Sequence, residues 1–216
     1  MLDMEIMVLG IITMNVIFSL RGFKDFSFFE RYKFNIGGIR RGEQVRMISS
    51  AFLHVDMQHL FFNMLTLFFF ANTVINNLGN VKFAGVYVGS LIVGNLFSLF
   101  FHKNEYHYSA VGASGAVSGI IYSAILFDPN ESLYLMFIPI PIPAYVFGIG
   151  YLLYSIYGMK NKADNIGHDA HFGGAVGGYI ITLLMAPGLF QENLLMIVLL
   201  LVPIIILFAM QRLGKL

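Results

Sequence analysis

Three groups of residues in this chain have types and spacings that could do chemistry. Ser114 stands in Gly112-Ala113-Ser114-Gly115, with Ser118 and Gly119 following. A serine hydroxyl is a weak nucleophile until a base takes its proton. His171, in His168-Asp169-Ala170-His171, is the candidate base; with Gly174 and Gly178 it falls at i, i+3 and i+7, one face of a helix. A histidine on a glycine-lined face lies close to a neighbouring backbone. His59 and Asn63, four residues apart and just after His54, share a helical face and can both donate toward one point. Each group has a plainer reading. Glycine and serine ease helix contacts in membranes, and Asn or His often joins helices there by hydrogen bonds.

The elements that must hold these residues are membrane helices. Of 216 residues, 57% are hydrophobic and only 12% charged, against roughly 25% charged in soluble domains. No Asp, Glu, Lys or Arg occurs in 83–101, 132–159, 172–191 or 193–210. A hydrocarbon core of about 30 Å is crossed by about 20 apolar residues in a helix, so these stretches are spanning candidates. Seven spans are predicted: Met4–Leu20, Leu60–Ile75, Phe83–Phe101, Val111–Phe127, Pro143–Tyr157, Asp169–Met185 and Leu194–Met210. The expected class is an all-α polytopic membrane protein, one embedded domain over 1–216. Asp3 and Glu5 stand where a cleavable leader carries basic residues, so the first span is expected to be retained.

The long polar connection, Arg21–Asp56, holds seven of the thirteen Lys and Arg residues, interleaved with aromatics such as Phe26, Phe29 and Tyr32. That mixture suggests a loop lying among lipid headgroups. Pro139, Pro141 and Pro143 cannot be helix interior, so the fifth span should begin near Pro143 after an interfacial or re-entrant approach. Pro187-Gly188 should end the sixth span and Pro203 should kink the seventh. A net charge of +1 without a basic stripe argues against nucleic acid, and the absence of Cys removes thiolate metal sites and Cys nucleophiles.

Unsatisfied polar groups cost several kcal/mol in hydrocarbon, so intramembrane His, Asn and Ser need a reason. Together the three groups give one: oxyanion donors, nucleophile and base on three separate spans. Packing the glycine faces of the fourth and sixth spans would bring Ser114 and His171 together near one surface. Asp169 is two residues from His171 and points to another side of the helix, so it is not assigned to a triad.

These residues resemble those of the rhomboid family of intramembrane serine proteases. The matching pieces are His59-x-x-x-Asn63, Gly112-x-Ser114-Gly115 and Ala170-His171-x-x-Gly174-x-x-x-Gly178, with Arg46 similar to an Arg in the family's first loop. The likeness covers about residues 4–185, a six-helix core, and leaves 194–210 as an added C-terminal helix. It implies that Ser114 is the nucleophile and His171 the general base of a dyad. The Ser114 amide with the side chains of His59 and Asn63 would hold the oxyanion. His54, near the mouth of the site, and Arg46, Gly112, Gly115, Gly174 and Gly178 would support it. No cofactor or metal is implied; the partners would be transmembrane protein substrates within the lipid bilayer of a bacterial cell membrane. Two departures stand out: Val45 replaces a Trp, and Ser118 stands where relatives often carry an aromatic that stacks on the base. His171 is then expected to be oriented by Ser118 or by a neighbouring helix.

Two other functions compete. A metal transporter or metalloprotease could use His54, His59, His168 and His171, but HExxH is missing and, apart from Glu5 and Asp169 at span ends, no acidic residue lies within a span to complete a site. A rhomboid-like protein that binds membrane clients without cutting them would lack Ser or His, and both are present. Orientation is contested: the resemblance opens the site to the outside of a bacterium, whereas the positive-inside rule puts Arg21–Asp56, with Lys160, Lys162, Arg212 and Lys215, inside.

Overall fold

The computed structural model describes residues 2–135, 138–161 and 166–216, so Lys162 lies outside it. The chain begins with α1 (Leu2–Lys24) and then a folded loop. That loop contains α2 (Phe26–Tyr32), β1 (Phe34–Asn35), α3 (Ile36–Arg40), α4 (Arg46–Ser49) and a 3-10 turn at Ser50–Phe52. Next come α5 (Met57–Leu78), α6 (Asn80–Phe101), β2 (Ser109–Ala110) and α7 (Ser114–Phe127). A hairpin of β3 (Ser132–Leu135) and β4 (Ile138–Pro143) leads to α8 (Ala144–Asn161), α9 (His168–Met185), α10 (Leu189–Glu192) and α11 (Leu194–Arg212). The expected all-α polytopic architecture is present, with seven long helices among the described residues. Residues 6–24 and the helices α5, α6 and α11 are each long and apolar enough to cross a membrane.

Local chemistry sets the helix ends. Asp56 caps α5 by accepting from the His59 amide at 2.7 Å, satisfying one of the donors that a helix start leaves open. Gly79, at φ +80°, lets α5 turn directly into α6. The seventh span carries Pro203 inside α11, which continues on both sides of it.

Helix α7 is the axis of the bundle. All its residues from Gly115 to Leu126 are buried. At 14 residues it is about 21 Å long by the standard rise. It can be central because its glycines meet those of α9: a Cβ added at Gly174 would lie 2.6 Å from the Gly115 carbonyl carbon, and one at Gly178 would lie 2.6 Å from that of Gly119. Backbone touches backbone there, as small-residue membrane interfaces allow. Polar links add to the contact. Thr182 Oγ1 donates to Ser123 Oγ at 2.7 Å, the Tyr122 hydroxyl donates to the Gly148 carbonyl, and Tyr179 ties α9 to the Ile197 carbonyl of α11 at 3.0 Å.

The loop after α1 is more ordered than its composition suggests. Phe34, Ile36 and Ile39 form a small buried core under Leu99 and Tyr108, while Phe26 is 76% exposed. Arg46 holds the loop together: its Nη1 donates to the Glu30 and Lys33 carbonyls at 2.8 Å each, and its Nε to Glu43 at 2.6 Å. Glu43 is held below the usual carboxylate range by its hydrogen bond with Arg46. The antiparallel β1–β2 pair, with Phe34 opposite Ala110 and Asn35 opposite Ser109, fastens this loop to the segment entering Gly112. The three prolines before α8 belong to a hairpin. They lie in β4, a two-stranded edge where missing amides are tolerated, and α8 starts at Ala144.

Candidate active site

A cavity of about 1040 Å³ is lined by Ser114, His171, His59, Asn63, Gly112 and Tyr151, among others. The residues singled out on three spans thus face one space. Ser114 opens α7, and no side chain caps that helix start, so its first amides remain available as donors. Gly112 has φ +127°, a conformation that side chains rarely adopt. A Cβ there would also lie 2.9 Å from His59 Nε2 and 3.6 Å from Ser114 Oγ. His59 and the nucleophile candidate therefore flank the same glycine. Asn63 is buried and gives one amide proton to the His59 carbonyl at 3.0 Å, which leaves its second N–H for another acceptor.

His171 lies one helical turn before Gly174, on the face that meets Gly115, and Gly115 itself lies against the Ala170 carbonyl. Asp169 points elsewhere: it accepts from the Tyr108 hydroxyl at 3.3 Å, and its Oδ2 lies 3.7 Å from His102 Nε2. The geometry agrees with leaving it out of a triad. Burial works against a charged His102, but the carboxylates of Asp169 and Glu105 outweigh it and hold the imidazole above the usual histidine range.

His54 is not at the mouth of the site, where the resemblance put it. It is fully buried behind His59, with the two rings edge to face at 4.9 Å. Ser19 donates to the Phe52 carbonyl at 3.0 Å, so the 2.8 Å contact between Ser19 Oγ and His54 Nδ1 has the ring as donor. His54 Nε2 is then the acceptor for the Ala113 amide at 3.4 Å. This neutral form suits its surroundings: burial first, then the neighbouring His59, push its pKa down to about 3. His54 thus ties α1 to the residue before Ser114. The Gly112 amide is likewise bound, to the Ser50 carbonyl at 3.0 Å. Arg46 lies in the loop core and meets the cavity wall at the Lys33 carbonyl.

The comparison with known families agrees with this layout. The Rhomboid domain matches residues 41–188, well over half of the chain. The chain belongs to the rhomboid family. Its relatives include the mitochondrial RHOMBOID-like protein 12 of Arabidopsis thaliana, 29% identical over 78% of this chain and 55% of that protein. Another is the mitochondrial Rhomboid protein 1 of Saccharomyces cerevisiae, 30% identical over 63% of this chain and 40% of that one. A third, YdcA of Bacillus subtilis, is provisionally named a rhomboid protease and is 32% identical over 68% of this chain and 70% of its own length. The chain thus spans only about half the length of the two mitochondrial relatives. Rhomboid membership and the apolar helices make it an integral membrane protein. Two of these three relatives being mitochondrial, they give no preference to the expected bacterial cell membrane. The rhomboid match ends just after α9, so α11 lies beyond it.

Sequence reasoning missed two contributors near the rhomboid residues. Ser19 of α1 is fully buried and fixes the His54 ring; nothing local marks it among membrane serines. Tyr151 of α8 lies parallel to His171, with 15° between planes and 6.1 Å between centroids. The Ser118 hydroxyl meets the Ser114 carbonyl and the Tyr151 hydroxyl.

Proposed function

We propose that this rhomboid protein is a serine endopeptidase that cuts membrane-protein substrates in or near their transmembrane segments, using a Ser114–His171 dyad. Ser114 Oγ attacks the scissile carbonyl carbon while His171 takes the hydroxyl proton. The negative oxygen of the tetrahedral intermediate is held by the Ser114 amide and by side-chain donors of His59 and Asn63. His171 returns the proton to the leaving amine, and the C–N bond breaks. Water then attacks the acyl-serine with His171 as base, releasing the acid and regenerating Ser114. A substrate helix must unwind locally to present its peptide bond, so small or helix-breaking residues near the cut are favoured.

The observation that carries this reading is the glycine contact between α7 and α9, which supports a meeting of Ser114 and His171 in one cavity with His59 and Asn63. The test uses purified protein, a single-span substrate and a fluorophosphonate probe. The parent should cleave and be labelled; Ser114→Ala should do neither, with an unchanged melting temperature. Cleavage by Ser114→Ala at the parental rate would refute the dyad. A parent that binds the substrate but neither cuts nor labels would point to a client-binding role instead.

A further inference from the structure

This inference rests on the dyad reading and concerns what aims its base. A histidine ring turns easily, because the torsion that sets its plane has a broad, two-fold profile. Something must fix the His171 plane if the ring is to face Ser114. Helix α9 offers little on the face that meets α7, because that face is glycine. A ring from α8 lies against His171.

The Tyr151 ring is nearly parallel to His171, 15° apart in plane with centroids at 6.1 Å, within the range of offset stacking. Tyr151 is itself pinned. Ser118, 1% exposed, gives its proton to the Ser114 carbonyl at 2.8 Å, as serines within helices do. The 2.7 Å contact between Ser118 Oγ and the Tyr151 hydroxyl then has tyrosine as donor. The contacts run in series from the nucleophile's backbone through Ser118 and Tyr151 to the base.

We propose that Tyr151 is the positioning residue of His171, held at the right angle by Ser118, so that α8 carries part of the catalytic alignment. Tyr151 touches no reacting atom in this role. It also lines the cavity, as does Phe147 one turn earlier, facing Phe62 and Thr66 of α5. Helix α8 is therefore at once a wall of the substrate space and the support of the base.

The test measures kcat and KM separately for four variants with Ser114→Ala as control. Tyr151→Ala should lower kcat by about a hundredfold, the cost of a misplaced catalytic group, with KM little changed. Tyr151→Phe keeps the ring but loses the hydroxyl that meets Ser118, so its kcat should fall between those of the parent and Tyr151→Ala. Position 118 is one turn from Ser114 on the same face, so Ser118→Tyr can supply a ring if Tyr151 has made room. Ser118→Tyr alone should be impaired by crowding, whereas Ser118→Tyr with Tyr151→Ala should recover most of the lost kcat. A protein that merely needs a filled space there would not show this reciprocal rescue. Parental kcat in Tyr151→Ala overturns the proposal, as does a well-folded double variant no better than Tyr151→Ala. Either result with an inactive Ser114→Ala leaves the dyad intact; an active Ser114→Ala removes the dyad itself.

Discussion

Gly174→Ala is the most economical perturbation of the proposed site, since it adds one methyl group and no reactive atom. The methyl carbon would sit 2.6 Å from the Gly115 carbonyl carbon and 2.9 Å from its Cα, against 3.4 Å or more for ordinary contact. Those neighbours are backbone and cannot rotate away, so α7 and α9 must part by about 1 Å. A misplacement of that size between catalytic groups costs on the order of a hundredfold in rate. Forcing a methyl into a packed contact also costs about 1–3 kcal/mol, several degrees of melting temperature in a chain of this length. Gly150→Ala in α8 is the matched control, because nothing lies within 4 Å of its added Cβ. The assay is cleavage of a single-span substrate and thermal unfolding on the same detergent preparations. Gly174→Ala should lose both activity and stability, Gly150→Ala neither, and Ser114→Ala activity alone. If Gly174→Ala cleaves at the parental rate, the idea that the glycine contact sets the spacing of Ser114 and His171 is wrong.

Other predictions follow from the same geometry. His59→Ala and Asn63→Ala should each lower kcat by about 10²–10³ with smaller changes in KM, as for one lost oxyanion donor. His59 should be the worse because its ring also packs on Gly112 and His54; unchanged kcat in both would reduce them to helix glue. His102 has a folded pKa above its ordinary 6.5, so its contribution is complete below 6.5 and disappears as pH rises through the folded value. Melting temperature should fall over that interval, and His102→Gln should flatten the fall; identical slopes would discard the His102–Asp169–Glu105 cluster as a stabilising group. The basic loop is tied by β1–β2 to the Lys103 end of α6, whereas Lys82 lies at its other end. The positive-inside rule then puts Lys103 inside. Because the chain has no Cys, single cysteines replacing Lys103 or Lys82 can be probed with an impermeant maleimide on intact cells. Labelling at 103 and not at 82 would reverse the orientation.

The parts of the site that were legible in the sequence are those the membrane makes expensive. His59, Asn63, Ser114 and His171 stood out because polar side chains in apolar helices need partners. Gly174 and Gly178 stood out because their spacing with His171 repeats on one helical face. The seven helices were legible from charge-free runs, although α7 starts at Ser114 rather than Val111. Tyr151 was not legible, being one of eleven tyrosines whose value depends on the angle at which α8 meets α9. His54 was misplaced because a residue's depth in a loop is set by what folds over it, here α1 with Ser19. The strand carrying the three prolines was also hidden, since alternating Ile and Pro says only what the segment cannot be.

The shortness of α7 has a consequence for solvent. A helix of about 21 Å in a hydrocarbon layer of about 30 Å falls short by roughly 9 Å. The cavity of about 1040 Å³ lies at the Ser114 end of α7, with room for roughly thirty molecules at the density of liquid water. Deacylation of a serine ester consumes one water per turnover, and in an oily medium that reagent would be scarce. A short central helix beside so large a space leaves room for that second reactant next to Ser114.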